Sequence, residues 1–413
     1  MVRGGPQGQR SLDANGPAQR GGRFRGEWVG GMEGEGRAGG PAEVLQGRRL
    51  VFPGRRRCLL EPFTIEVGAL GAGQVLLQTE ISLMSTGTEL ANYSGLDPGV
   101  DRPGSWNAYP WRPGYAAVGR VLRLGPAAAR QLPELRPGDR VFSITPHASH
   151  AVVDVGGRSV FRLASVEGEA SGDDPRRLIL VRMASVAMTA LRLSRGAAPG
   201  GTAVVLGLGL VGNFAAQLFA LAGLRVLAFD PAPRRVALAR ACGIRDAEDL
   251  TGEGARRRVL EWTGGVGADV VVEAIGNPRL IPGAVRMCRR LGEVILLGSP
   301  RGPMTEDTGE LWSEIHHRGI SVVGALEWLL PFKEAEAGRG SSGFSIERNY
   351  HTLIGWVRDG SLRVDGLLSH VVAPEACQET YDGVLADRNA YMGIAFDWTG
   401  GAGAADPPAD GAR

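Results

Sequence analysis

The stretch Thr202-Ala-Val-Val-Leu-Gly207-Leu-Gly209-Leu-Val-Gly212-Asn-Phe-Ala-Ala-Gln-Leu-Phe-Ala-Leu-Ala-Gly-Leu-Arg225-Val-Leu-Ala-Phe-Asp230 decides the fold. It is long and apolar enough to suggest a membrane span. However, Gly207, Gly209 and Gly212 break it early, and Asn213, Gln217 and Arg225 interrupt it later. It divides into a strand (Ala203–Leu206), a turn, a helix (Gly212–Ala222) and a second strand (Arg225–Phe229), which is a βαβ unit. Its GxGxxG turn follows an apolar strand and opens a helix, as a dinucleotide-binding turn requires. Gly207 permits the tight turn, Gly209 lets backbone approach a pyrophosphate, and Gly212 allows close helix–strand contact. The amides at the helix start, Leu210 and Val211 among them, then face phosphate at the positive end of the dipole. Asp230 ends the second strand, where a carboxylate accepts from ribose hydroxyls and repels a 2′-phosphate, so NAD is expected over NADP. Arg234 and Arg235 blur that preference, since an arginine can receive the phosphate. A plain turn for the glycines and a helix N-cap for Asp230 are the alternatives.

Beyond Gly200, short apolar runs alternate with helical segments. Val270–Ala274, Glu293–Leu297 and Ile320–Ala325 read as strands buried on both faces of a parallel sheet. Glu273, Gly276 and Asn277 end one strand and Gly298 ends another, so Gly276, Asn277 and Gly298 are cofactor candidates at the carboxyl edge. Before Gly200 the pattern differs. Val75–Glu80, Ala116–Leu124, Arg140–Ile144 and Ala151–Asp154 are short β runs between Gly and Pro, which suggests a barrel-like β domain. After Ser361 a strand (Leu367–Val372) and a helix (Pro374–Ala386) return. The chain therefore reads as α/β: a β-rich catalytic domain split in sequence (48–176 and 361–399) around a doubly wound parallel-sheet domain (177–360). Segments 1–47 and 400–413 are expected to be disordered tails, the first because it is Gly, Arg, Gln and Pro with few aliphatics.

The 413 residues carry a net charge of +2 and 6% aromatics, which argues against nucleic-acid binding. Nearly all basic charge is arginine, with Lys333 the single lysine. Cys58, Cys242, Cys288 and Cys377 form no CxxC pair, so reduced thiols in a cytoplasmic protein are expected, without a cysteine-built zinc site.

Several landmarks stand in order: Ser85-Thr-Gly-Thr-Glu89, Pro113-Gly-Tyr-Ala-Ala-Val-Gly119, Arg136-Pro-Gly-Asp-Arg-Val141, Thr189-Ala190, the glycine turn, Gly267-Ala-Asp-Val-Val-Val-Glu273 and Leu291-Gly-Glu-Val-Ile-Leu-Leu-Gly298. In that combination the chain resembles the medium-chain dehydrogenase/reductase superfamily from about Arg48 to Trp398. Tyr109-Pro-Trp-Arg-Pro-Gly-Tyr115 and His147-Ala-Ser-His-Ala-Val-Val153 look most like the subgroup that contains bacteriochlorophyllide a dehydrogenase. The resemblance implies a GroES-like catalytic domain, a Rossmann domain, a homodimer or homotetramer, and hydride transfer between a nicotinamide and an alcohol or ketone. Where zinc-dependent members carry catalytic zinc ligands, this chain reads Thr86, Tyr115-Ala116 and Ser185, and the four-Cys lobe is absent. The expectation is a zinc-independent member.

Without a metal, hydrogen-bonding groups must handle the substrate oxygen. By resemblance Thr88 passes the proton onward, and Tyr115, at a former ligand position, faces the pocket as donor or acid. Glu89 is a candidate to pair with a cation or contact the ribose. His147 is a candidate general base. His316 or His317 is a weaker one, and His351 reads as structural. Trp106, Tyr109, Trp111 and Trp328 offer apolar walls, which suits a small-molecule substrate such as a bulky ring-bearing or sugar- or cyclitol-like biosynthetic intermediate. The reading is an NAD(H)-linked secondary alcohol dehydrogenase or ketone reductase. Two alternatives remain open: an NADPH-dependent enoyl or quinone reductase, and a non-catalytic nucleotide-binding protein.

Overall fold

The computed structural model describes residues 43–156, 160–164, 173–305, 307–333 and 343–400. Its strands are β1 (Val44–Gly54), β2 (Arg57–Glu66), β3 (Gln74–Leu83), β4 (Ala117–Leu124), β5 (Arg140–Ser143), β6 (His150–Asp154), β7 (Val160–Ala164), β8 (Thr202–Leu206), β9 (Arg225–Phe229), β10 (Asp246–Glu248), β11 (Ala268–Glu273), β12 (Cys288–Leu296), β13 (Ser321–Gly324), β14 (Leu368–Val372) and β15 (Gly393–Asp397).

Six of them form a parallel sheet in the order β10-β9-β8-β11-β12-β13. Val204, Val205, Val271 and Val272 are wholly buried, which explains their unalternated apolar runs. The strand order reverses between β8 and β11, so the binding crevice lies at the carboxyl ends of those strands. The helix Leu210–Leu221 begins directly after Gly209, two residues before the sequence expectation, because Leu210 and Val211 already belong to the first helical turn.

A second sheet runs β14-β15-β3-β4-β5-β7, with β6 also paired to β3. β14 and β15 pair in parallel and β15 lies antiparallel to β3, so the C-terminal return completes a sheet begun near residue 74. The helix Val181–Leu193 joins the two sheets. Its Met183, Ala184, Ala187 and Met188 share one continuous core with Ile81, Val118 and Phe142 of the second sheet and with Val205 and Phe214 of the parallel-sheet half.

Two expectations need correction. The first tail does not extend to Gly47. β1 starts at Val44 and pairs with β2 through Glu66, Ile65, Thr64 and Phe63, and the Phe63 ring covers Gly47. Cross-strand pairing there supplies what local composition lacks. Residues 1–42 and 401–413 lie outside the described residues. Second, His316 and His317 are exposed at the end of the helix Thr308–Arg318, just ahead of β13. That is the amino edge of the parallel sheet, opposite the crevice, so neither reaches it. His351 lies in the helix Ile346–Arg358 with its ring against Phe161, in keeping with a structural role. Among the described residues no helix is long and apolar enough to cross a membrane.

Candidate active site

The glycine turn is built by contacts that tolerate no side chain at two positions. Gly207 sits at φ +93° and donates its amide to Phe229 O at 2.8 Å. A Cβ on Gly212 would lie 1.8 Å from Gly207 O, whereas one on Gly209 would project into open space. The helix therefore packs tightly at Gly212, while its mouth at Gly209, Leu210 and Val211 is accessible to a phosphate. Asp230, 3% exposed, braces the turn: Oδ2 accepts from the Leu208 amide at 2.8 Å and Oδ1 from the Ala232 amide at 2.9 Å. Arg235 Nη1 lies 3.5 Å from Asp230. Arg235 also donates to Arg388 O and Arg234 donates to Ala390 O, so both arginines are tied to the loop ahead of β15.

At the carboxyl edge, buried Glu273 accepts from the amides of Ile275 and Gly276. Burial pushes its carboxyl up, and the amides of Gly276, Ile275 and Asn277 pull it back. Gly276 (φ +79°) and Gly298 pack backbone on backbone, a Cβ on Gly298 falling 2.1 Å from Gly276 N. Asn277 caps the short turn Pro278–Leu280 by accepting from the Arg279 amide at 3.1 Å, which is a turn role. This donor arrangement fits a dinucleotide: free helix-start amides, a closely approachable glycine, and a carboxylate on the neighbouring strand.

Facing this edge is a compact polar cluster. Tyr115 donates to Ser85 Oγ, and Thr88 stands beside both at the start of the helix Thr88–Ser94. The Arg182 guanidinium lies over the Tyr115 ring at 4.6 Å and 5.5 Å from the Trp328 ring. Arg182, 2% exposed, pairs with Glu327 at 2.6 Å, and Ser185 Oγ donates to Glu327 Oε1 at 2.7 Å. Burial works against the Arg182 charge, but Glu327, then Tyr350 and Tyr115, hold it as a fixed cation. Burial pushes the Tyr115 phenol above the usual tyrosine range; Arg182, then Ser85 and Thr88, pull it down, and Glu89 raises it. Arg301, in the loop after β12, reaches Gly87 O at 3.4 Å and adds a second cation on the Rossmann side.

Glu89 and His147 lie behind this cluster, wholly buried. Glu89 accepts from the Ser85 amide at 2.8 Å and from Tyr381 Oη, and its Oε2 is 3.1 Å from His147 Nε2. His147 Nδ1 is 2.7 Å from Ser82 Oγ, which accepts from Trp398 Nε1 at 2.8 Å. An indole N–H only donates and a carboxylate only accepts. Ser82 Oγ therefore accepts from Trp398, and His147 is held between Ser82 on Nδ1 and Glu89 on Nε2. The His147 amide also donates to Pro113 O at 2.9 Å, and a Cβ on Gly114 (φ +96°) would fall 2.5 Å from His147 N. The network thus fixes the two turns that carry Ser85, Thr88 and Tyr115. Of the other aromatics, Trp111 packs on Trp106 and Phe52, and Tyr109 donates to Asn92 O.

Sequence reading did not single out Arg182, Glu327, Arg301 or Ser85. Arg182 and Glu327 did carry a signal, since each is a lone charge inside an apolar run, Ile179–Met183 and Ala325–Leu330.

The residues here do not fit a zinc ion. At the positions that the resemblance assigns to zinc ligands, Thr86, Tyr115, Ala116 and Ser185 offer only hydroxyls and a methyl, and the Ser185 hydroxyl is committed to Glu327. A guanidinium fixed in the same cluster would also repel a dication. Among the described residues no three His, Cys, Asp or Glu side chains converge as a metal site.

Residues 211–334 match the family described as zinc-binding dehydrogenase. The chain is 32% identical over 143 residues to an erythritol/L-threitol dehydrogenase of Mycolicibacterium smegmatis, which covers 33% of this chain and 38% of that protein. The match to the first curated relatives thus spans little more than a third of their length. It is 24% identical over 349 residues to a D-guloside 3-dehydrogenase of Shigella flexneri, covering 79% of this chain and 94% of that one. A solved putative zinc-binding dehydrogenase from Sinorhizobium meliloti bound to NADP superposes with a TM-score of 0.63 at 17% identity, covering 86% of this chain and 99% of that one. The chain has the medium-chain dehydrogenase/reductase fold, and residues 211–334 within it are similar to the zinc-binding dehydrogenases.

Proposed function

We propose that the protein interconverts a secondary alcohol and a ketone with a nicotinamide dinucleotide, without zinc. The observation that carries this reading is the phenol of Tyr115, supported by Ser85, Thr88 and Arg182, opposite the carboxyl edge of a parallel sheet with an intact dinucleotide turn. The dinucleotide would supply hydride acceptance or donation. Gly209, Leu210 and Val211 would hold its phosphates and Asp230 its ribose, and the Gly276 and Gly298 backbone would lie by its nicotinamide. Asp230 supports NAD over NADP, with Arg235 beside it as the competing influence.

Tyr115 is held protonated near neutral pH, so its first role is to donate to the carbonyl oxygen during ketone reduction. In the reverse direction Tyr115 first gives its own proton to solvent through Thr88, and the phenolate so formed takes the alcohol proton. Glu89 and His147 act as positioning residues, since both are wholly buried behind Tyr115 and their polar atoms are mutually engaged. The relatives that act on polyols and sugars support a polyhydroxylated or ring-bearing substrate, and Trp328 supplies an apolar wall for it. A homodimer or homotetramer remains part of this reading.

The test is turnover with NAD and with NADP across a panel of polyols, glycosides and cyclic ketones, alongside metal analysis of the purified protein. Expected are NAD-linked oxidation of at least one secondary alcohol, no stoichiometric zinc, and a loss of about 10²–10⁴-fold in kcat for Tyr115→Phe. One tightly held zinc per chain, or unchanged kcat in Tyr115→Phe, overturns the reading.

A further inference from the structure

Removing zinc from such a site removes a positive charge beside the reacting oxygen, and something must stabilise the charge that develops there. The cluster contains one buried cation, and it lies against the residue that moves the proton. We propose that the Arg182–Glu327 ion pair stands in for the missing metal charge, with the Arg182 guanidinium stabilising the Tyr115 phenolate. This rests on the assignment of Tyr115 above.

Four features carry it. Tyr115 and Ser185 occupy positions of the missing donor set, and both contact this pair: Tyr115 lies under the guanidinium at 4.6 Å, and Ser185 holds Glu327 at 2.7 Å. Arg182 is buried and lies on a rigid helix, Val181–Leu193, that joins the two halves of the protein. Two of its guanidinium nitrogens, Nε and Nη1, lack a well-directed hydrogen bond although Glu327 is near. A cation so placed interacts through its field and over the ring face. Glu327 comes from the loop after β13, at the carboxyl edge of the sheet, so the pair spans the crevice walls.

In ketone reduction the Tyr115 O–H bond breaks and its proton bonds to the carbonyl oxygen as hydride reaches the carbonyl carbon. The electron pair left on the phenol oxygen belongs to a ring that faces the guanidinium. A proton from solvent, passed by Thr88 or Ser85, restores the phenol. The charged and titratable groups around Tyr115 are Arg182 and Glu327 from the joining helix and the β13 loop, Glu89 from the helix Thr88–Ser94, Arg301 from the β12 loop, and Tyr350 from the helix Ile346–Arg358. Arg182 is the one cation shown over the ring.

The test reads tyrosinate directly, by near-ultraviolet absorbance across an alkaline titration. Subtraction of Tyr115→Phe isolates Tyr115 from the other five tyrosines. Arg182→Met alone leaves Glu327 buried and uncompensated, so the Arg182→Met/Glu327→Leu double variant is the main comparison, because apolar replacement of both partners of a buried pair is often tolerated. In the double variant the Tyr115 tyrosinate fraction at fixed alkaline pH should fall roughly tenfold or more. NADH affinity should stay unchanged and the alkaline limb of the kcat profile should move upward. Arg182→Lys should restore part of the tyrosinate signal. A folded double variant that binds NADH normally and titrates Tyr115 as the unaltered protein does overturns the proposal. The titration needs no substrate, so a protein inactive on every alcohol overturns the proposed reaction while the role of Arg182 is still decided by absorbance.

Discussion

Glu89 offers the sharpest separation between holding a site and acting in it. Its carboxylate is wholly buried and serves three donors: the Ser85 amide, His147 Nε2 and Tyr381 Oη. Glu89→Leu fills similar space and leaves all three without an acceptor. Each unpaired buried donor costs about 1–3 kcal/mol, and partial relaxation brings the sum to about 3–5 kcal/mol. Glu89→Gln keeps one acceptor oxygen and should lose about 1–2 kcal/mol. Urea unfolding followed by tryptophan fluorescence measures both, and NADH titration of the folded protein shows the nucleotide site intact. Both variants should lower kcat in proportion to how far the Ser85–Thr88 turn loosens, with Glu89→Gln the milder. Should Glu89→Leu cost less than about 1 kcal/mol, or should Glu89→Gln abolish turnover at unchanged stability, the carboxylate works on the reaction and the positioning argument fails.

Three further outcomes are expected. Asp230→Ala should strengthen NADPH binding relative to NADH, read by fluorescence titration, and also lower the melting temperature, because the Leu208 and Ala232 amides lose their acceptor. Burial pushes the Cys288 thiol up to about 12 from an ordinary value of 9.0, so its folded-state protonation stabilises the protein fully below pH about 9 and the benefit fades as pH rises towards about 12. Melting temperatures across that window should fall less steeply in Cys288→Ala. Deleting residues 1–42 should leave the melting temperature within error, whereas deleting residues 1–47 removes the paired start of β1 and should lower it.

The fold was legible where a local pattern had a single cause. Gly207, Gly209 and Gly212 between two apolar runs placed the βαβ unit, and the valine runs at β8 and β11 announced strands buried on both faces. The start of β1 was not legible, because Gln46 and Gly47 join a strand through partners on β2, above all the Phe63 ring. Within the site, Tyr115, Thr88 and Glu89 stand in the short motifs Pro113–Gly119 and Ser85–Glu89, and the structure brings those two turns together through Ser85. The pairing that surrounds them could not be read from the sequence. Ser185 and Glu327 meet across 142 residues of sequence, and no periodicity records such a contact. His147 shows the converse limit: its residue type suggested a base, but burial between Ser82 and Glu89 depends on the packing of Trp398 and Tyr381 from the far end of the chain.

That far end has a consequence for synthesis. Ser82 and Trp398, which share a hydrogen bond, are 316 residues apart, and β15 lies beside β3. The parallel sheet, by contrast, is contiguous between β8 and β13. On the ribosome the parallel-sheet half can therefore fold while the second sheet still lacks its closing strands, since domains form as units when their chain is complete. Until Gly393–Asp397 leaves the exit tunnel, one edge of β3 has no β15 to pair with and Ser82 no indole. A nascent chain stalled before that point presents an unpaired β edge, the kind of surface that chaperones cover.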